Sequence, residues 1–273
     1  MSKFSNCPIG VFDSGVGGLS VLRALRAELP HEKFVYVADS GHAPYGERDD
    51  DYLIERCHTI VRWFRDHHQI KALVVACNTA TAAAIHVLRE AHPELPIIGI
   101  EPALKPAVLL SRTKLIGVMA TRSTLHSEKF KRLLTSLENQ ATFVLQPCSG
   151  LVPAIEAFDA IKIGAACAEY TGAMGRFGSN PGEIDTLVLG CTHYPFAESS
   201  LRLGTGMAVT YMEGGAPVAR QTRRLLEAAN QLQVGDQGKA AIVRLYSSGD
   251  PLALASAAAR WLGLKADALS LVA

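Results

Sequence analysis

The sequence predicts an α/β protein built from two similar, pseudo-symmetric parallel-sheet domains with the active site at their interface. Three observations predict it. Short, nearly continuous apolar runs alternate with longer amphipathic stretches, the same series of runs occurs twice, and a cysteine directly follows the third run of each series. Strands buried on both faces read as unbroken apolar segments, and the helices between them supply the crossovers that parallel strands require.

The first series opens with the strand Ile9-Gly10-Val11-Phe12, followed by a helix over Leu19 to Leu29. Phe34-Val35-Tyr36-Val37 precedes a helix over Tyr52 to His67, and Ala72-Leu73-Val74-Val75-Ala76 precedes one from about Thr79 to Glu90. Ile97-Ile98-Gly99-Ile100 closes it. In the second series, Ile116-Gly117-Val118-Met119 repeats the first strand at an offset of 107, and Thr142-Phe143-Val144-Leu145 the second at 108. Leu187-Val188-Leu189-Gly190-Cys191-Thr192 matches Leu73-Val74-Val75-Ala76-Cys77-Asn78 at 114, and Val209-Thr210-Tyr211-Met212-Glu213 matches Ile97-Ile98-Gly99-Ile100-Glu101 at 112. A nearly constant offset across four strands indicates duplication.

Beyond the second series, the pattern gives a helix over Ala216 to Leu232, a strand over Ala241 to Tyr246 and a helix over Pro251 to Leu262. This tail is expected to return to the first unit. The expected domains are therefore 1–99 plus 213–273, and 100–212. Ser179-Asn180-Pro181-Gly182 and Gly235-Asp236-Gln237-Gly238 are turn signals, and no low-complexity linker parts the halves.

Composition narrows the function. The chain has 273 residues, 48% hydrophobic and 19% charged, enough to bury a substantial core without staples. Lys plus Arg number 27 against 26 for Asp plus Glu, which leaves no global field to attract nucleic acid or an anionic membrane. No apolar run approaches the roughly 18 to 20 residues of a membrane span, and Met1-Ser2-Lys3-Phe4-Ser5 lacks the apolar core of a signal peptide. The expected location is the cytoplasm and the expected partner a small molecule. The six cysteines show no CxxC pair and are expected to be free thiols.

Ligands of open parallel sheets sit beyond the carboxyl ends of the strands. Cys77 and Cys191 both lie at that edge, each before residues able to start a helix, whose amides favour a thiolate and can hold a carboxylate. Racemisation removes a proton from one face of a carbon and returns one to the other, so it needs an acid/base group on each side. One cysteine from each half of a duplicated protein supplies such a pair, one ionised while the other is protonated. The competing reading makes both cysteines inert apolar fillers at strand ends.

Other motifs surround the pair. Asp13-Ser14-Gly15-Val16-Gly17-Gly18 follows the first strand; without a Lys-Ser/Thr ending, and with Asp13 repelling phosphate, it does not fit a nucleotide loop. Ser14 suits a substrate carboxylate as donor. Asp13 suits a substrate ammonium or a role in tuning Cys77, or else simply caps the next helix. Pro44-Tyr45-Gly46 is either a wall that excludes water or an ordinary turn. His193, two residues after Cys191, points the same way as that cysteine in an extended chain, which allows a Cys/His acid-base partnership. Half a metal site is the alternative, but no second pair with ligand spacing exists. Glu156 reads as a solvated helix residue on pattern alone. The remaining histidines, and Cys7, Cys57, Cys148 and Cys167, read as structural or surface residues.

Asp13-Ser14-Gly15-Val16-Gly17-Gly18-Leu19-Ser20, Pro44-Tyr45-Gly46, Ala76-Cys77-Asn78-Thr79-Ala80 and Gly190-Cys191-Thr192-His193-Tyr194-Pro195 together resemble the glutamate racemases, in the same order and along almost the whole chain. The resemblance implies two α/β domains with the active site between them, and conversion of L-glutamate to D-glutamate for peptidoglycan, needing neither pyridoxal phosphate nor metal. By resemblance Cys77 and Cys191 are the acid/base pair, and Asp13, Glu156 and His193 assist proton transfer. Substrate contacts carry over to Asp13, Ser14, Tyr45, Gly46, Asn78, Thr79, Thr192 and His193, with Thr121 and Thr124 lining the pocket. Glu213-Gly214-Gly215-Ala216 departs from the family's aspartate followed by a small residue, which puts a local helix start in doubt. With almost no chain before the first strand, no N-terminal regulatory segment is expected. Homodimers are common in the family, but nothing in the sequence specifies an interface. The rival readings are a racemase of aspartate or another acidic amino acid, and a non-catalytic binder such as an inhibitor of a DNA enzyme.

Overall fold

The computed structural model describes residues 5–233 and 242–271. These residues fall into two compact units, one within Met1–Ile100 and Gly215–Ala273, the other within Glu101–Gly214.

The first unit begins with β1 (Ile9–Asp13), α1 (Leu19–Glu28), β2 (Phe34–Ala38), α2 (Asp50–His68), β3 (Ala72–Val75), α3 (Asn78–Ala91) and β4 (Ile97–Gly99). The second contains α4 (Leu104–Leu110), β5 (Leu115–Ala120), α5 (Arg122–His126), α6 (Glu128–Thr135), β6 (Thr142–Pro147), α7 (Leu151–Glu156), α8 (Ala160–Met174), β7 (Thr186–Leu189), α9 (Glu198–Thr205) and β8 (Thr210–Met212). The chain then returns to the first unit with α10 (Gly215–Ala228), β9 (Val243–Ser247), α11 (Pro251–Leu262) and β10 (Ala268–Ser270).

Among the described residues, all the strand pairs are parallel. The first sheet has the order β10-β9-β2-β1-β3-β4 and the second β6-β5-β7-β8. The four-strand run β2-β1-β3-β4 thus has the same order as β6-β5-β7-β8, the topological form of the duplication. Hydrogen bonds past the strand ends repeat as well. Ala76 N–H donates to Phe12 O at 2.8 Å and Gly190 N–H to Met119 O at 2.7 Å, while Asp39 N–H and Cys148 N–H donate to Asp13 O and Ala120 O at 2.9 and 3.0 Å. Asp13 therefore corresponds to Ala120, Ser14 to Thr121, and Asp39 to Cys148.

β1, β2 and β3 are buried at every residue, as their unbroken apolar composition requires. The core on one face of the first sheet joins Phe12, Val37, Leu73 and Val75 to Leu53, Cys57, Ile60 and Phe64 of α2 and to Ala80, Ala84, Ile85 and Leu88 of α3. In the second unit, Ile116, Val118 and Val188 pack with Leu104, Ala107, Val108 and Phe130. Two glycines permit the close approaches at the functional edge. A Cβ on Gly18 would lie 2.6 Å from Asp13 Cβ and 2.8 Å from Tyr36 Oη, and one on Gly190 would lie 2.9 Å from Met119 O.

Several boundaries differ from expectation. α10 ends at Ala228 rather than Leu232, because Gln231 N–H bonds back to Leu226 O and Asn230 N–H to Glu227 O, with Asn230 at φ 53°. This is a Schellman stop with asparagine in the left-handed position. The tail strand runs from Val243 to Ser247; Ala241 lies outside the described residues, as do the Gly235–Gly238 turn signal and Met1 to Phe4. β10 was not foreseen, since its three residues Ala-Leu-Ser carry too short a pattern. Among the described residues no helix is long and apolar enough to cross a membrane.

One polar knot lies deep in the first unit. Lys71 Nζ sits 2.6 Å from Glu32 Oε2 with both side chains essentially inaccessible, and it also donates to Ser5 O and Gln231 O at 2.7 and 2.8 Å. Burial pulls the ammonium pKa below its ordinary value, against the pull of Glu32. Removing one partner would strand the other charge. Lys71→Met is expected to cost about 3–5 kcal/mol in urea unfolding, and Lys71→Met/Glu32→Leu distinctly less, because an apolar pair leaves no orphaned charge.

Candidate active site

In the first unit the carboxyl ends of the adjacent strands β1 and β3 bring together Asp13, Ser14 and Cys77. Cys77 stands two residues past β3 as the N-cap of α3, and Ala80 N–H points at its sulfur at 3.5 Å. A helix-start amide directed at sulfur stabilises negative charge there. The thiol also lies 3.7 Å from Ser14 Oγ, which in turn donates to Asp13 Oδ1 at 3.1 Å. Asp13 is fully buried and accepts from Gly15 N–H at 2.9 Å. It does not cap α1, whose N-cap is Gly18.

α3 starts with Asn78 and Thr79, both buried at the same edge. Asn78 Oδ1 has no hydrogen-bond partner within the protein, a costly condition for a buried acceptor and one that a ligand donor would relieve. Tyr45 occupies a single 3₁₀ turn, Tyr45–Glu47, with its ring in the core beside Cys57 and Cys77 and its hydroxyl donated to Asp39 Oδ2 at 2.6 Å. Burial, and then the neighbouring carboxylate, push that phenol pKa far up, so it remains a donor. Gly46 follows, half-buried.

In the second unit Cys191 stands two residues past β7, as Cys77 does past β3. Its support is different. The chain beyond it forms a 3₁₀ turn, Tyr194–Ala197, before α9, so Cys191 is not the N-cap of a long helix as Cys77 is. Nor is the segment extended: His193 has φ −74° and ψ −33°, and Tyr194 N–H bonds to Cys191 O at 3.2 Å. This turn, rather than an extended register, brings His193 Nδ1 to 3.7 Å from Cys191 Sγ.

The other ring nitrogen, Nε2, lies 2.6 Å from Glu156 Oε1 at the end of α7. Glu156 is therefore paired through a contact 37 residues away in sequence, which no local pattern signals. Burial alone would suppress the imidazolium, but the hydrogen bonds to Cys191 and Glu156 and their charges outweigh it and raise the His193 pKa well above its ordinary value. Thr121 is the N-cap of α5; its Oγ1 accepts from Thr124 N–H at 3.2 Å and donates to Thr124 Oγ1 at 2.9 Å. Thr192 is buried between Cys191 and His193. Cys57, Cys148 and Cys167 are buried thiols raised by burial, Cys167 to about 11. No group of three or more His, Cys, Asp or Glu able to hold a metal ion occurs among the described residues.

Sequence reasoning missed Asp39 and Arg56. Arg56 donates to both carboxylate oxygens of Asp39, Nε to Oδ2 and Nη2 to Oδ1, each at 2.8 Å. A faint signal existed: Arg56 falls within the apolar stripe of α2, between Leu53 and Ile60, where a charge is out of place.

The family model described as Asp/Glu/Hydantoin racemase matches residues 16–241. The chain belongs to that family. A glutamate racemase of Ralstonia pickettii is 47% identical over 263 residues, covering 96% of this chain and 90% of the relative. Among solved structures, a glutamate racemase isoform of Bacillus anthracis superposes with a TM-score of 0.82 at 30% identity, covering 98% of both chains. The Escherichia coli glutamate racemase, solved in complex with L-glutamate and the activator UDP-MurNAc-ala, gives 0.83 at 28% identity, covering 97% of this chain and 98% of that one.

The His193–Glu156 contact makes stability depend on pH in a definite sense. An unfolded imidazole titrates near pH ~6.5. With the folded value higher, the stabilisation is complete below that pH and is lost as pH rises through the folded value. Glu156→Gln removes the carboxylate, so the stability gap between parent and variant in urea unfolding is expected to be largest near pH ~6 and to shrink toward alkaline pH. A gap that widens with pH would contradict an imidazolium at position 193.

Proposed function

We propose that this chain is a cofactor-independent racemase that interconverts L- and D-glutamate, with Cys77 and Cys191 as its two acid/base groups. The observation that carries the reading is the equivalence of the two cysteines, each two residues beyond the third strand of a four-strand run that has the same order in both sheets. Membership of a racemase family and the glutamate racemase names of its relatives support it.

In the proposed reaction one thiolate removes the α-proton, leaving a carbanion whose charge spreads into the substrate carboxylate. The other thiol then protonates the opposite face of that carbon. Cys77 is supported by the Ala80 amide and by Ser14, behind which Asp13 lies; Cys191 is supported by His193, held in turn by Glu156. The unpaired Asn78 Oδ1 would accept from the substrate ammonium. Ser14, Thr79, Thr121, Thr124 and Thr192 supply hydroxyls, and Tyr45 and Gly46 form the turn beside Cys77. The product D-glutamate would serve peptidoglycan synthesis in the cytoplasm, and a homodimer fits the family habit.

Incubated with L-glutamate in deuterated water, the protein is expected to abolish its circular dichroism while the α-position takes up deuterium. Cys77→Ala and Cys191→Ala are each expected to lower racemisation by at least ~100-fold, the scale of a lost general acid/base group. Activity intact in both variants would remove the thiol mechanism. Faster turnover of L-aspartate than of L-glutamate would overturn the substrate.

A further inference from the structure

Arg56 is the most conspicuous charge outside the groups assigned to the reaction. It lies on the buried face of α2 with Leu53, Cys57, Ile60, Val61 and Phe64, positions that otherwise build the core. Its fork grips both oxygens of the fully buried Asp39. Burial would raise the Asp39 pKa, but hydrogen bonds from Arg56, Tyr45 and Ser248 and the charge of Arg56 hold it below its ordinary value, so the carboxylate stays ionised.

Asp39 is also a junction. Its Oδ2 accepts the Tyr45 hydroxyl at 2.6 Å, and its backbone N–H donates to Asp13 O at 2.9 Å, where β1 leads into Ser14. Tyr45 packs in the same core cluster as Cys77, and α3, which Cys77 caps, touches the turn that carries Tyr45. One guanidinium thus tethers the strand end before Ser14 and the turn Tyr45–Gly46 to the same helix.

A buried ion pair is weak evidence of stability, because well-packed apolar residues often hold a fold equally well. What the bidentate fork adds is orientation. We infer that Arg56 is a positioning residue for substrate binding: through Asp39 it fixes the Tyr45 side chain and with it the backbone of Tyr45–Gly46 beside Cys77. The inference rests on the reading of that turn as a glutamate contact. Arg56 touches no reacting atom, so its effect falls on substrate affinity more than on the proton transfers.

The test compares the parent with Arg56→Lys, which keeps the charge but loses the fork, and with the charge-free pair Arg56→Met/Asp39→Leu. Kinetics of racemisation in both directions are measured alongside thermal unfolding. The expected result for the charge-free pair is a KM for glutamate raised at least ~10-fold with kcat within ~3-fold of the parent, the signature of lost ground-state binding. Arg56→Lys should fall between the two. A folded charge-free pair with an unchanged KM would overturn the inference, as would a loss confined to kcat that tracks the fraction unfolded. If the charge-free pair does not fold, Arg56→Lys decides alone: a KM raised at least ~3-fold with kcat near the parent's supports the inference, and an unchanged KM overturns it. A parent protein without glutamate racemisation would instead sink the proposed function, so the two failures are distinguishable.

Discussion

Parallel pairing of β1 with β3 in the first unit, and of β5 with β7 in the second, is the constraint on which the placement of each cysteine depends. Parallel strands bring all their carboxyl ends to one edge, and the ladder runs one hydrogen bond beyond each third strand, through Ala76 and Gly190. That last bond fixes where the following residue begins, and in both units that residue is a cysteine. Gly18 and Gly190 keep the edge tight enough for the loops to meet without a side chain in the way.

Equivalent backbones carry unequal chemistry. Position 13 is an aspartate in the first unit, and its counterpart in the second is Ala120. The second unit draws its carboxylate from Glu156, on a helix, and delivers it through His193. Cys77 therefore has a helix-start amide and a hydroxyl for neighbours, and Cys191 an imidazole. Such asymmetry is compatible with the proposed reaction. Enantiomers have equal free energy in water, so a racemase must have equal kcat/KM in the two directions, while kcat and KM can each differ. Duplication provides the two thiols, and divergence of their neighbours can tune each without disturbing that equality.

Most of the fold was legible in the sequence because the strands at the centre of each sheet, β1, β2 and β3 in one and β5 and β7 in the other, are buried on both faces. Ile9–Asp13, Phe34–Ala38 and Ala72–Val75 admit little but β-branched and other apolar residues, and their repetition after position 115 exposed the second sheet. Legibility failed at the edges. β10 has only three residues, and α10 stopped early on an asparagine rather than the glycine that usually signals such an end. At the site, the sulfurs were readable as strand-end residues, while the turn at His193 was mistaken for extended chain.

The sequence by itself determined the alternation of strand and helix, the duplication and the two cysteines at the ends of matched strands, because each of these is written in neighbouring residues. Only the tertiary structure decided that Glu156 meets His193, that Asp39 is held by Arg56 and Tyr45, and that Asn78 keeps an unpaired acceptor. The physical reason is range. Periodicity reports which face of an element is buried, whereas a charge's partner depends on how helices distant in sequence pack over the sheet, within the few ångströms a hydrogen bond allows.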